Sequence, residues 1–154
     1  MYEIKFRGKR IDNGEWVYGN LLKLEHENHN DYFIIPFVTN GSRIKTTQVL
    51  KFISPCYEVD SDTVSQYTGL RDCKRTEEYP EGQEVYESDI IFFSRNSGVL
   101  DELPETAYME VTFERGCFWG ENTDWQEPLF ELIDDGGIYV RGNVFNNPEL
   151  AEQL

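Results

Sequence analysis

The chain has 154 residues, of which 39% are hydrophobic and 14% aromatic, and its formal net charge is -15. This length suits one domain or two very small ones, and the aromatic content is sufficient for a packed core, which excludes a disordered protein. No apolar stretch approaches the ~18 residues that cross a bilayer, and the N-terminus lacks the apolar segment of a signal peptide. We therefore expect a cytoplasmic protein without membrane contact.

The first half of the sequence predicts strands joined by turns. Apolar and charged residues alternate over residues 2–7, and Asp12-Asn13-Gly14 predicts a hairpin turn before an aromatic return strand. The aromatic run at residues 32–38 ends at Asn40-Gly41, which is typical of a second hairpin turn, with a return strand from Arg43. A further short strand is predicted at residues 49–53, and the polar residues 25–31 predict an exposed loop.

The middle of the chain has a different pattern. Asp60-Ser61-Asp62 offers N-cap oxygens, residues 63–67 predict one or two helical turns, and Gly69 is suited to end them. Residues 71–84 are polar and contain Pro80 and Gly82, so this segment is the predicted boundary between two parts of the chain.

The second half again predicts strands. Residues 90–93 are a continuous apolar run, and residues 107–114 alternate between apolar and polar. Residues 129–133 and 138–144 predict a hairpin around Asp134-Asp135-Gly136-Gly137, and Pro148 suits the first position of a short C-terminal helix. Between these elements, residues 116–128 predict a polar, glycine-rich loop. Several short strands at near-regular spacing favour a small barrel or sandwich.

The charges are distributed unevenly along the chain. Residues 1–77 contain 11 acidic and 11 basic residues, whereas residues 78–154 contain 18 acidic residues and three basic ones, Arg95, Arg115 and Arg141. This asymmetry indicates two structural units or one strongly negative face. Direct nucleic-acid binding by the second half is disfavoured, because it requires basic side chains that replace counterions. Lys5, Arg7, Lys9 and Arg10 form a small basic set, for which a solvated strand face is favoured over a nucleic-acid contact.

Four segments of the sequence resemble the YopX family of phage and prophage proteins. They occur in family order and span nearly the whole chain: residues 4–19 (IKFRGKR to GEWVYG), residues 62–72 (DTVSQYTGLRD), residues 85–91 (VYESDII) and residues 142–150 (GNVFNNPEL). Gln-Tyr-Thr-Gly-Leu is the most specific of these motifs. Ser88 departs from the pattern, because the family usually has Glu-Gly-Asp there. If that glycine takes a positive φ, a serine is strained by ~1 kcal/mol or more.

The resemblance implies a mainly β protein with an N-terminal β-hairpin region and an SH3-like small β-barrel in its C-terminal part. Together with the boundary segment, it predicts an N-terminal β region with a short helix at 1–72, a linker at 73–84, the barrel at 85–147 and a tail at 148–154. The resemblance implies no activity, and no catalytic residue is carried over from it.

Two groups of residues suggest a metal site at first sight. His26-Glu27-Asn28-His29 has Glu25 and Asp31 beside it, but structural zinc sites usually use four ligands, and two ordinary surface histidines are favoured. The second group, Asp60, Asp62, Glu87 and Asp89, resembles the carboxylates that bind divalent cations. Helix capping by Asp62 and turn formation by Asp89 are the simpler interpretations. No metal and no cofactor are expected.

Enzymatic chemistry finds little support in the sequence. A nucleophilic serine or cysteine needs a neighbouring base, and the chain's two histidines share one polar segment. Cys117 lies among apolar residues beside Glu114, a setting that raises a thiol pKa. The cysteines Cys56, Cys73 and Cys117 are expected to be free thiols, two or more of them buried. We therefore expect a protein that is not an enzyme.

The predicted loop at 116–128 is the candidate binding site. Exposed aromatic residues often anchor protein interfaces, although large aromatic residues are more often buried in the core. The candidate residues are Trp119, Trp125, Glu121, Asp124 and Glu127. The favoured function is a non-enzymatic binding module that acts through protein–protein contacts with an unidentified partner, or with a second copy of the chain. The alternatives are an acidic nucleic-acid mimic that inhibits a basic host protein and, less favoured, a metal-dependent enzyme.

Overall fold

The protein is mainly β, and its described residues form two antiparallel sheets. The structure, a computed structural model, describes residues 4–37, 56–95 and 106–154. Contacts divide the chain into unit 1, Met1–Gln66, and unit 2, Tyr67–Leu154. This division precedes the linker expected at 73–84. No helix in the described ranges is long and apolar enough to span a membrane.

The strands of unit 1 are β1 Phe6–Lys9, β2 Trp16–Glu25, β3 Asn30–Pro36 and β4 Tyr57–Glu58. They form an antiparallel sheet in the order β4-β3-β2-β1, which the start of β5, Ser65–Arg71, continues. The predicted hairpin at residues 12–14 is confirmed, and Gly14 takes the positive φ of 73° that its turn requires. One face of the sheet packs around the buried residues Val17, Ile34 and Val59. The strands expected near Arg43 and at 49–53 lie outside the described residues.

The helix predicted at residues 63–67 is wrong. A 3₁₀ turn at Ser61–Thr63 is capped by Asp60, whose side chain accepts the backbone N–H of Asp62 at 3.1 Å, and β5 follows at Ser65–Arg71. Ser65 and Tyr67 are buried and flank a less buried Gln66, which is the period of a strand. Gly69 has a φ of 85° where the pairing register between β5 and β6, Glu84–Tyr86, shifts, so it forms a bulge and does not end a helix.

Unit 2 contains a five-stranded antiparallel sheet in the order β10-β9-β8-β7-β11. The elements that follow β5 are β6 Glu84–Tyr86, β7 Asp89–Arg95, β8 Thr106–Glu114, β9 Cys117–Glu121, β10 Gln126–Pro128, α1 Leu129–Asp135, β11 Gly136–Asn143 and α2 Pro148–Ala151. The core contains Ile91, Met109 and Val111 from the sheet and Leu129 and Leu132 from α1. Within the described residues β10 and β11 are not paired with each other, so a closed SH3-like barrel stays a prediction.

Three predictions for the second half are corrected. Residues 129–133 form a helix and not a strand, because Leu129 and Leu132 are buried while Phe130 between them is 52% exposed, which is helical spacing. The turn expected at residues 134–137 is therefore the end of α1 and the start of β11. The loop expected at 116–128 is largely the hairpin of β9 and β10. The strand at 107–114 and the short helix from Pro148 are confirmed.

The segment expected to be a linker, residues 73–84, is held by Asp72. This carboxylate is buried, and its Oδ1 accepts the backbone N–H groups of Lys74 at 3.2 Å and Gln83 at 2.8 Å. Its Oδ2 accepts the N–H of Val140 in β11 at 3.2 Å. Arg75 adds a hydrogen bond to the Asp72 carbonyl oxygen at 2.6 Å. The segment thus folds back on the end of β5 and is tied to the sheet of unit 2.

The cysteines were expected to be free thiols, two or more of them buried. All three are free, but Cys56 and Cys73 are exposed and Cys117 is half-buried, so the expected burial is wrong.

Candidate functional site

The pairing of β7, β8 and β9 sorts the residues of the unit 2 sheet onto two faces. Met109 and Val111 of β8 point towards the core, and their partners are Ile91 of β7 and Gly120 of β9. Because side chains alternate along a strand, the residues between these positions lie on the opposite face. We call this opposite surface the outer face; its half-buried residues include Phe92, Tyr108, Glu110, Trp119 and Glu121. Ile90, the partner of Glu110 on β7, lies on the same side of the sheet but is fully buried.

The aromatic part of the outer face is ordered by side-chain contacts. The rings of Phe92 and Tyr108 are directly opposite on β7 and β8 and meet edge to face at a centroid distance of 5.3 Å. The Arg141 guanidinium lies 5.3 Å from the Phe92 ring centroid. The indole N–H of Trp119 donates to the carbonyl oxygen of Glu114 at 3.0 Å. Phe92, Tyr108 and Trp119 are half-buried, so they offer apolar area to solvent in fixed positions.

Carboxylates lie beside these aromatic rings. Glu110 and Glu121 are direct partners across β8 and β9. Burial raises the pKa of the Glu110 carboxyl above its ordinary value, and the negative charges of Glu121 and Glu87 raise this pKa further. The Glu121 carboxylate accepts a hydrogen bond from the neutral amide of Gln126 at 2.9 Å. A cation near the Glu110 carboxylate is therefore also attracted by the negative charges of Glu121 and Glu87.

The five residues predicted to form a binding site do not form one surface. Trp119 and Glu121 lie on the outer face, whereas Trp125 packs against the hydrophobic core. The side-chain oxygen of Asn122 accepts the backbone N–H groups of Asp124 and Trp125, at 3.0 and 2.9 Å, and shapes the turn between β9 and β10.

Of the two remaining predicted residues, Asp124 is exposed in that turn. Glu127 pairs across the hairpin with Gly120, which lies on the core-facing side of the sheet, so Glu127 is not part of the outer face.

Sequence reasoning missed Phe92, Tyr108 and Glu110 as members of this surface. Tyr108 and Glu110 are the polar positions of the alternating strand at 107–114, which indicated only that they face away from the core. Phe92 belongs to the apolar run at 90–93, in which no alternation marks an outward position. The signal available in the sequence is the aromatic and acidic character of the outward positions, but their neighbours across the sheet follow only from the register.

The carboxylates of the second candidate metal group have individual roles within their own units. Asp60 caps the 3₁₀ turn and Asp62 is exposed, while the buried Asp89 accepts the backbone N–H of Tyr86 at 2.8 Å. Glu87 contributes to the electrostatics of Glu110.

The basic set at the N-terminus is not a solvated face, because Lys5 and Arg7 are buried. Arg7 and Lys9 both lie over the ring of Trp16, at 4.8 and 5.5 Å from its centroid. Arg10 stacks on Tyr57 at 3.9 Å. These contacts hold the cations against the sheet of unit 1.

A cleft of about 500 Å³ lies in unit 1. Its walls carry the cations Lys9 and Arg10 and the carboxylates Asp31 and Asp60. Arg10 donates to Asp12 at 2.9 Å in addition to its stacking on Tyr57. The mixed charge and the engaged guanidinium do not specify a class of ligand for this cleft.

A comparison with protein families gives a match to the YopX protein family over residues 5–152. The chain belongs to the YopX family. Among solved structures, this YopX-family chain is similar to the crystal structure of protein EF1440 from Enterococcus faecalis, with a TM-score of 0.54 and 23% sequence identity. The similarity covers 97% of this chain and 99% of that one, and it supports the fold alone. A comparison with curated proteins finds no match.

The position at which the sequence departs from the YopX pattern keeps the backbone shape that glycine favours. Ser88 has a φ of 62° in the turn between β6 and β7. Its N–H donates to the carbonyl oxygen of Val111 at 2.7 Å, and its own carbonyl accepts the N–H of Val144 at 3.1 Å. These bonds to β8 and to the end of β11 hold the serine in a conformation that is costly for a residue with a Cβ.

Proposed function

We propose that this chain is a phage- or prophage-encoded protein-binding module without a catalytic step of its own, and that the outer face binds a basic segment of its partner. The observation that carries the proposal is a half-buried Trp119 on the same sheet face as the paired carboxylates Glu110 and Glu121, opposite the face that packs around Met109 and Val111. Tryptophan and tyrosine are the residues most often found at the energetic centre of protein interfaces.

The charge of the partner follows from the carboxylates. Glu110 is partly desolvated next to two other acids, which makes its ionised form unfavourable and raises its pKa. A lysine or arginine placed between Glu110 and Glu121 would offset this repulsion and gain charge-assisted hydrogen bonds. The excess of acidic residues in 78–154 would steer such a partner during the encounter.

A non-enzymatic role is supported by the position of the histidines. The chain has two, His26 and His29, and both are exposed at the tip of the β2–β3 hairpin. Catalytic bases usually work in sites that exclude water, and neither histidine has that enclosure.

The test is affinity capture from a lysate of the native host, followed by mass spectrometry of the retained proteins. The Glu110→Gln/Glu121→Gln protein is compared with the wild type and with Glu131→Gln/Asp134→Asn, which removes two charges from exposed positions of α1. We expect a basic protein that the wild type and the control retain at low salt and that the outer-face variant loses. The proposal fails if all three proteins capture the same set.

The acidic nucleic-acid mimic is the second candidate, and the concentration of the net charge in one half of the chain favours it. A mimic acts through its field alone, so it requires the carboxylates but not the aromatic anchor. Trp119→Ala separates the two functions: a binding module releases its partner faster, whereas a mimic keeps both its affinity and its dependence on salt.

A further inference from the structure

The tip of the β2–β3 hairpin brings together three side chains that commonly bind metals. The backbone N–H of His26 donates to the carbonyl oxygen of His29 at 2.9 Å and closes a turn over the two residues between them. Asp31 lies at the start of β3, two residues after His29, and its carboxylate oxygens are within 4 Å of both imidazoles. One possible ligand atom from each of these three residues lies within 4.8 Å of the other two. Among the described residues, His26, His29 and Asp31 are the histidine, cysteine or acidic side chains that meet this spacing as a group of three.

The spacing of the ligand atoms suits a common ion. Nε2 of His26 lies 3.0 Å from one oxygen of Asp31, and Nε2 of His29 lies 3.6 Å from the other. Ligand atoms at the usual ~2.0–2.1 Å from a tetrahedral zinc ion are ~3.3–3.4 Å apart. One ligand atom from each of the three residues lies within 4.8 Å of the others, so small shifts bring them to this spacing. The imidazole rings are stacked at 4.5 Å and 12° from parallel, and the side chains are 45% and 63% exposed, which leaves room for the small rotations required.

We propose that His26, His29 and Asp31 bind a divalent transition-metal ion, with Zn²⁺ as the first candidate. Imidazole nitrogens favour Zn²⁺, Ni²⁺ and Cu²⁺, whereas Mg²⁺ and Ca²⁺ require mainly oxygen ligands. Three protein ligands leave a coordination position open, and at this exposed tip the position is filled by water or by a group from a partner. The site lies in unit 1 and does not depend on the function proposed for the outer face.

The experiment titrates ZnCl₂ into tag-free protein by calorimetry while the imidazole resonances are followed by NMR. Because the chain contains two histidines, both imidazole signals report on the site. We expect one ion per chain, movement of both signals with Zn²⁺ and none with Mg²⁺. His29→Asn and Asp31→Asn are each expected to weaken binding by at least ~10-fold, since even groups that only orient a ligand change affinity by 10–100-fold. Glu27→Gln, an exposed change in the same turn, serves as the control and is expected to bind normally.

The alternative is a pair of histidine–aspartate contacts that bind no metal. It predicts no heat of binding up to millimolar zinc, and this result would overturn the proposal. Zinc uptake that leaves both imidazole signals in place would overturn it equally, because the ion would then be bound elsewhere, for example by the exposed thiols Cys56 and Cys73. The readout on the wild-type protein keeps the test decisive even if a ligand variant folds poorly.

Discussion

Replacement of Asp72 by alanine should destabilise unit 2 more than its position beside a polar segment suggests. The Asp72 carboxylate is 2% exposed and accepts three backbone N–H groups. The donors at Gln83 and Val140 are on partly buried residues, whereas Lys74 is exposed and can turn its N–H to water. A hydrogen bond to a charged group contributes ~1.5–3 kcal/mol. Loss of the two sheltered bonds should therefore lower the free energy of unfolding by about 3–6 kcal/mol.

Urea denaturation measures this loss, with Asp72→Asn and Glu81→Ala as companions. The asparagine keeps one acceptor oxygen, so its loss should lie between those of the alanine variant and the wild type. Glu81→Ala removes a charge from an exposed position of the same segment and should change stability by no more than about 0.5 kcal/mol. Limited proteolysis of Asp72→Ala should cut first within residues 73–84, because the segment has lost its attachment. An alanine variant as stable as the Glu81 control would refute the role assigned to Asp72.

Three further predictions follow from the turn at Ser88, the carboxyl of Glu110 and the two tryptophans. Ser88→Gly should raise the free energy of unfolding by about 1 kcal/mol in urea denaturation, because the positive φ of 62° is costly for serine; an unchanged midpoint would show that the turn carries no strain. Glu110→Gln should raise the melting temperature at a pH where the carboxylate is ionised, because burial and the neighbouring acids disfavour that ionised form in the folded state. Because its folded pKa lies above the unfolded one, this gain should shrink as pH falls through the raised pKa, and Glu131→Gln should show no such trend. Trp125→Ala should lower stability by about 3 kcal/mol, the lower end for a tryptophan truncation because Trp125 is only partly buried, and Trp119→Ala by much less, since only Trp125 packs on the core; equal melting curves would contradict this assignment.

The elements that the sequence predicted correctly are those with a strong local signal. The alternation of apolar and polar residues at 107–114 is expected of any strand with one buried face. Gly14 takes a positive φ that its turn requires, whatever packs around the turn. Pro148 is compatible with the first turn of a helix and begins α2 as expected. The order of four local motifs was also sufficient for the YopX family, which the match over residues 5–152 confirms.

The elements that the sequence predicted wrongly are short, and their apolar residues fit both the period of a strand and that of a helix. Residues 129–133 contain too few positions to distinguish a strand from a helix. The helix is selected because Leu129 and Leu132 both become fully buried against the core-facing side of the sheet. In the same way, Ser65 and Tyr67 are drawn into a strand by pairing with β1 and β6, and this pairing overrides the helix-start signal of Asp60-Ser61-Asp62.

The sequence by itself determined the family, the mainly β character and the position of the acidic charge. The tertiary structure decided which of these residues form a surface. Trp119 and Trp125 are six positions apart in one polar segment, yet the register of β9 on β8 places Trp119 opposite Thr112 on the outer face, and the Asn122 turn returns Trp125 to the core. Side-chain alternation is a local property that a sequence displays, whereas neighbours across a sheet depend on hydrogen bonds between strands that are distant along the chain.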